Sequence, residues 1–252
     1  MKLSIFTTIT NPEKRGDNME DAINCYKDLA DEVIIIDGKD TWPEEFSWEL
    51  IGQHFQKGYE QATGDWVIHA DLDFIFHEND FAAIRKAMEI NNSEPALAFL
   101  KYQFILPDRY TLKSRLLLAV NKAKFGDRIR FDAGGDLCQP SLDGVEIQEN
   151  TSVQTRIPFY NYEKMTKNKD QITNDVERME RAYQRLFDKP LYTRYDTNAY
   201  EGWLKMAHGR FNKLHKIIKL SNHPKYVQDT IRNLTPDQFG YSMFGLKENT
   251  YV

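Results

Sequence analysis

Two carboxylates end a run that otherwise reads as buried strand. In Gly64-Asp-Trp-Val-Ile-His-Ala-Asp-Leu-Asp-Phe-Ile-Phe76, Asp71 and Asp73 follow the apolar stretch with a single residue between them. Period-two geometry puts Val67, His69, Asp71 and Asp73 on one side of the strand, so both carboxylates converge on one point above the sheet. Like charges that close repel unless a cation sits between them. An oxygen-preferring divalent ion, Mg²⁺ or Mn²⁺, bridging the carboxylates to phosphate oxygens is the simplest remedy. A solvated strand end on which Asp73 caps the next turn uses the same residues without chemistry. His69 shares the side but lies two residues deeper, the place of a satisfied core histidine.

The elements that must position this pair are legible around it. Ile51 to Ala62 carries helical spacing and stops at Thr63-Gly64, and a strand from Asp65 to Leu72 begins at once. Upstream, Lys2 to Thr8 predicts a first strand. Asn18 to Ala30 predicts a helix with Met19, Ala22, Ile23, Tyr26 and Leu29 on one face, and Glu32 to Ile36 a second strand ending at Asp37-Gly38. The run Val33 to Ile36 suits a strand buried on both faces of a parallel sheet, hence βαβ units.

Three segments make the first 80 residues resemble the family-two glycosyltransferases, which have the GT-A nucleotide-diphospho-sugar transferase fold. Ser4-Ile-Phe-Thr-Thr-Ile-Thr10 looks like the family's first strand and donor loop. Asp31-Glu-Val-Ile-Ile-Ile-Asp-Gly38 resembles its second strand, whose terminal Asp contacts the nucleotide. Gln56 to Asp73 is similar to the signature Asn-x-Gly, Ala-x-Gly, Asp-x-Asp, with Gln56 where the family usually has Asn. The resemblance implies an α/β GT-A Rossmann-like fold: a mixed, mostly parallel sheet flanked by helices, with a core over residues 1–160 and a helix-rich extension over 161–252. It implies a nucleoside-diphosphate sugar as donor and a glycan or other hydroxyl as acceptor. Thr8, Thr10, Asp37, Lys57 and Asp71 would contact the donor, and Asp71 and Asp73 would hold Mn²⁺ or Mg²⁺. Family members are inverting and need one general base. Asp136 and Asp143, near the Gly134-Gly135 pair, are the candidates, with Glu146 and Asp132 behind them; a plain acidic loop has the same composition.

Later segments resemble the family more loosely. Pro158-Phe-Tyr-Asn-Tyr-Glu-Lys-Met165 followed by Lys169 is similar to a block of some bacterial members, with Tyr160, Tyr162, Met165 and Lys169 in place. Ser221-Asn-His-Pro224 is similar to a late His-Pro element, which would make His223 a further metal ligand; a helix-capping or surface histidine is the alternative. Asp80 to Ile90 predicts a helix, Ala96 to Ile105 a strand, Arg109 to Val120 a loop running into a short helix, and 128–131 and 144–147 short strands. The apolar spacing from Ile172 to Phe187 predicts an amphipathic helix, 199–220 helix in pieces broken near Gly209, and Pro224 the start of a last helix.

Composition bounds the function class. With 252 residues, 41% of them hydrophobic, the chain builds a large core, and its net charge of −5 argues against a nucleic-acid partner. Two cysteines without metal or disulfide spacing fit a reducing compartment, and the polar N-terminus has no secretory signal, so the expectation is cytoplasmic. The apolar run Leu116 to Val120 is far short of a span, leaving peripheral membrane contact at most. Two other functions use the same motif. One is a haloacid dehalogenase-type phosphohydrolase, whose Asp-x-Asp normally follows the first strand. The other is a non-catalytic nucleotide-sugar or glycan-binding protein.

Overall fold

Alternation of short strands and amphipathic helices over the first ninety residues gives way to a long hairpin and then to helices. The computed structural model describes residues 1–41, 45, 47–132, 139–150, 152–213 and 216–234. Strand β1 (Leu3–Ile9) is followed by the one-turn helix α1 (Pro12–Arg15), helix α2 (Met19–Leu29), strand β2 (Glu32–Asp37), helix α3 (Trp48–Gln61) and strand β3 (Trp66–His69). Strand β4 (Phe74–Ile75) and helix α4 (Phe81–Ile90) lead into strands β5 (Ala96–Leu106) and β6 (Arg109–Asn121). After α5 (Lys122–Phe125) come β7 (Ile129–Arg130), β8 (Ser141–Leu142), β9 (Val145–Glu146) and β10 (Val153–Asn161). Helices α6 (Lys169–Phe187) and α7 (Ala199–Lys213), strand β11 (Lys216–Ile217) and α8 (Gln228–Arg232) complete the order.

The main sheet runs β2-β1-β3-β6-β5-β10-β4, with β11 on β6; β7, β8 and β9 form a separate small sheet. β1 is parallel to β2 and β3, and β5 to β10, whereas β6 lies antiparallel between β3 and β5. This is the expected α/β arrangement, a mixed sheet flanked by helices. One face packs Leu3, Ile5 and Ile68 on Tyr26 and Leu29 of α2 and on Ile84 and Met88 of α4. The other packs Phe6, Val67, Ala96 and Ala98 on Ile51, Phe55 and Tyr59 of α3. Each such large side chain contributes roughly 1.5–3 kcal/mol. Two glycines permit the α3–β3 corner: a Cβ on Gly58 would collide with the Phe6 ring, and one on Gly64 would lie 2.6 Å from the Ser4 amide nitrogen. Helices α6 and α7 share a third cluster with Ile105 and Leu106, the end of β5. Among the described residues no helix is long and apolar enough to cross a membrane.

Three local expectations are corrected. Arg109 to Val120 is not a loop and short helix but most of β6, because β5 offers it a full-length antiparallel partner. Helix α7 runs unbroken through Gly209, where a side chain would meet nothing within 4 Å, so the open face tolerates glycine without a break. Strand β3 stops at His69, and Asp71 and Asp73 lie in the turn beyond it.

Candidate functional site

Leaving β3 at the centre of the sheet, the chain crosses through Ala70–Asp73 to pair as β4 on β10 at the edge. The crossing is a closed turn, the Phe74 amide donating to the Asp71 carbonyl at 2.9 Å. Behind it the buried Tyr26 hydroxyl donates to the carbonyls of Asp71 and, at 2.8 Å, Phe74. The Tyr162 amide donates to the Asp73 carbonyl at 2.8 Å. With the backbone so held from behind, both side chains face a cleft of about 410 Å³, a size ordinary for small-molecule sites.

Within the turn the charges are uncompensated. Asp73 Oδ2 accepts from Asn161 Nδ2 at 2.6 Å, and the Asn161 Oδ1 is buried with no hydrogen-bond partner. Asp71 Oδ1 is 3.4 Å from His69 Nε2, whose ring stacks on Phe55 and Phe6 with centroids 3.8 and 4.9 Å away. Burial pushes that imidazole down to about 3, so it is neutral, as a core histidine should be. Burial raises both carboxyl groups; the charge of Asp71 raises Asp73 further, while Lys101 and Arg15 oppose the rise at Asp71.

The opposite wall is paired throughout. Asp175 on α6 takes Lys164 at 3.0 Å and Lys167 at 2.8 Å; Lys167 also reaches Asp17 at 2.9 Å, which Arg15 meets at 3.0 Å. Burial alone would raise Asp175, but the two lysines overcome it and hold the group far below the carboxylate range. Glu163 faces the same cleft, accepts from Gln103 Nε2 at 3.1 Å and lies 3.4 Å from Lys164. Lys164 and Lys101 together outweigh its burial and keep it ionised. A third part of the lining is apolar, from Ile51, Phe55, Leu117, Phe131 and Pro140.

Thr8 and Thr10 line this cleft with Asp71 and Asp73. Asp37, opposite Ile9 in the β1–β2 register, is exposed at the same end of the sheet, its carboxylate 3.3 Å from Lys39 Nζ. Lys57 does not join them: it lies on the solvent face of α3, because Phe55 and Tyr59 take the sheet side. Gln56 accepts from the Phe131 amide at 2.9 Å, so it ties α3 to the segment leaving β7 instead of facing a donor. Asp136 falls outside the described residues, as does the glycine pair before it. Asp143 is corrected: it occupies the β8–β9 turn at φ 53°, exposed and away from the cleft lining, with both its oxygens taken by the Arg128 guanidinium. Asp132 binds Ser141 Oγ, and Glu146 is exposed on β9.

His223 is also corrected. It is fully buried, with Nδ1 2.8 Å from the Tyr162 hydroxyl and Nε2 2.7 Å from the Pro107 carbonyl, so neither nitrogen is left for a metal. Three cleft residues given a role here have none in the sequence reading: Lys101, Asn161 and Glu163. Glu163 stands inside the Pro158–Met165 block, where the aromatic positions drew the comparison. Its place beside the aspartates follows only from the β10–β4 register, which puts Asn161 opposite Phe74.

Oxygen donors of this kind fit a hard divalent cation. Asp71, Asp73 and the unpartnered Asn161 Oδ1 offer oxygen only, and no group of three or more His, Cys, Asp or Glu among the described residues forms a metal cage. An ion that keeps waters and phosphate oxygens as its other ligands needs no such cage.

No family model matches the chain, and no curated protein matches it. Among solved structures it is similar to the S. aureus TarS 1–349 crystal structure in complex with UDP, at 12% identity and TM-score 0.41, covering 84% of this chain and 72% of that one. The same fragment without UDP gives 11% identity, TM-score 0.39, and 84% and 80% coverage. A structure described as a glucose-1-phosphate thymidylyltransferase from Bacillus anthracis in complex with a sucrose gives 12% identity, TM-score 0.31, and 64% and 72% coverage. Likenesses this distant carry no residue across, so the chemistry rests on the cleft itself.

Proposed function

We propose that this chain transfers a sugar from a nucleoside-diphosphate sugar to an acceptor hydroxyl, with inversion and with help from a divalent cation. The observation that carries the reading is the Asp71–Asp73 pair, which forms no ion pair with a lysine or arginine among the described residues and is fixed just beyond a central strand beside Thr8, Thr10 and Lys101 in a cleft of ligand size. Asp71 and Asp73, with the Asn161 oxygen, would hold Mn²⁺ or Mg²⁺. Bound there, the ion supplies positive charge to the diphosphate leaving group. Thr8 and Thr10 hydrogen-bond the donor, and Asp37 accepts from its nucleoside.

The acceptor oxygen attacks the anomeric carbon as the bond to the diphosphate oxygen breaks, and the hydroxyl proton passes to a carboxylate. Glu163 is the described carboxylate best placed to take it, ionised and beside Asp73. Asp136, outside the described residues, is the alternative from sequence. Release of free nucleoside diphosphate from UDP-, GDP- or dTDP-sugars in the presence of Mn²⁺ tests the reaction. Hydrolysis of phosphomonoesters instead would give the phosphohydrolase, and donor binding without turnover the binding protein.

A further inference from the structure

Lys101 breaks the pattern of β5. Leu97 and Phe99 point into the core beneath α2 and α4, yet Tyr102 and Phe104 pack on that same core. Odd and even positions share a face only where a strand loses step, and the β5–β6 register shifts between Phe99 and Lys101. The shift turns Lys101 to the other face, together with Gln103, whose amide reaches Glu163. There the lysine is 8% exposed and lines the cleft with Asp71 and Asp73.

Its ammonium has no carboxylate within ion-pair distance among the described residues. Its cross-strand neighbours are Lys113 on β6 and Phe159 on β10, and its Nζ lies 5.8 Å from the centroid of the Phe74 ring. The contrast with Lys164 and Lys167 in the same cleft is sharp, since both of those are bound to Asp175. Asp71, Asp73 and Glu163 act on the Lys101 charge from across the cleft, but none closes on it as an ion pair, so its ammonium donors stay open to the anionic oxygens of a ligand.

We propose that Lys101 is an anion-binding residue of the cleft and contacts the diphosphate of the donor. The inference rests on the donor reading above. Its chemistry, a point charge on a flexible stem offering three donors, suits phosphate oxygens.

Inorganic pyrophosphate with Mg²⁺, titrated calorimetrically into the whole chain, tests this without any nucleoside. Lys101→Gln should bind at least tenfold more weakly than wild type, and Lys101→Arg should recover part of the loss. Lys101→Met, whose apolar stem suits Phe74 and Phe159, keeps the test alive if the Gln variant fails to fold; it should also lose affinity, while melting no lower than wild type. Wild-type affinity in a folded Gln or Met variant overturns the proposal, as does a wild-type protein that binds no pyrophosphate. The same variants with UDP-glucose and UDP-glucuronate separate diphosphate from sugar carboxylate. Equal losses support the diphosphate, and a loss confined to the glucuronate donor overturns it. Pyrophosphate binding that depends on Lys101 in a protein that takes no nucleotide sugar would sink the donor reading and leave the anion site standing.

Discussion

Two acidic groups on opposite walls of one cleft are treated in opposite ways. Asp175 is enclosed by Lys164 and Lys167, and those cations link α6 through Asp17 and Arg15 to the loop after β1. Asp73 is enclosed by Asn161, a neutral amide, with a second carboxylate as its near charge. One carboxyl group is held far below its ordinary pKa and the other is driven above it. Stability is concentrated in the wall that ties distant segments together. The turn that ends β3 is left electrostatically unfinished, which is where a ligand can complete it.

The sharpest way to break this comparison is to make the same change on both walls. Asp73→Asn should reduce transfer by ~10³-fold or more, on the scale of losing electrostatic stabilisation of a leaving group. It should nonetheless raise the melting temperature of the cation-free protein at pH 8. The sign follows from the raised pKa: the folded state keeps a proton that the unfolded chain gives up above about pH 4, so native Asp73 costs stability as pH rises toward neutrality. Asp175→Asn should behave in reverse, losing roughly 2–4 kcal/mol at neutral pH because two lysines are left without their partner. Its loss should stay nearly constant down to about pH 4 and shrink only below it, because the folded carboxylate keeps its charge well under the unfolded pKa. Urea denaturation of both variants at pH 4 and pH 8, without divalent ions, reads both signs; a destabilised Asp73→Asn at pH 8 would erase the distinction between the walls.

The base assignment sharpens the comparison within the cleft. Glu163→Gln should lower turnover by ~10²-fold or more with donor affinity within a few-fold of wild type. If steady-state assays show that loss in Asp136→Asn instead, the proton goes to the 133–138 segment and Glu163 serves Lys164 alone.

Much of this is legible in the sequence alone. The helix–glycine–strand sequence through Gly58 and Gly64 is readable because both glycines answer a steric demand, the Phe6 ring and the Ser4 backbone. The aspartates were found, although the strand stops two residues before Asp71. Strand β10 was missed because Thr155, Arg156 and Pro158 interrupt its alternation and its register on β5 slips between Gln154 and Pro158. Lys101 was hidden for the same kind of reason: a bulge changes which face a residue takes without leaving a mark in the spacing. His223 looked like a ligand since residue type is visible in sequence, whereas occupation of both ring nitrogens is not.

A smaller effect separates His223 from the metal site. Burial first of all lowers its pKa to about 4, so the folded state carries the neutral ring where the unfolded chain is already protonated. Stability should therefore fall by up to about 1.4 kcal/mol per pH unit as pH drops from roughly 6.5 toward that value. His223→Gln should flatten this slope and, at pH 7.5, leave Mn²⁺ affinity unchanged in the folded protein. A tenfold loss of Mn²⁺ affinity in calorimetry would restore the histidine as a ligand.

The central claim, that Asp71 and Asp73 hold a cation which in turn holds a nucleoside diphosphate, is tested most directly by calorimetric titration of UDP, GDP and dTDP with and without Mn²⁺. Wild type should bind at least one of them, at least tenfold more tightly with Mn²⁺ than with EDTA, and folded Asp73→Asn should lose that difference. Nucleotide binding that is indifferent to Mn²⁺, or a Mn²⁺ effect that survives in Asp73→Asn, would contradict the account.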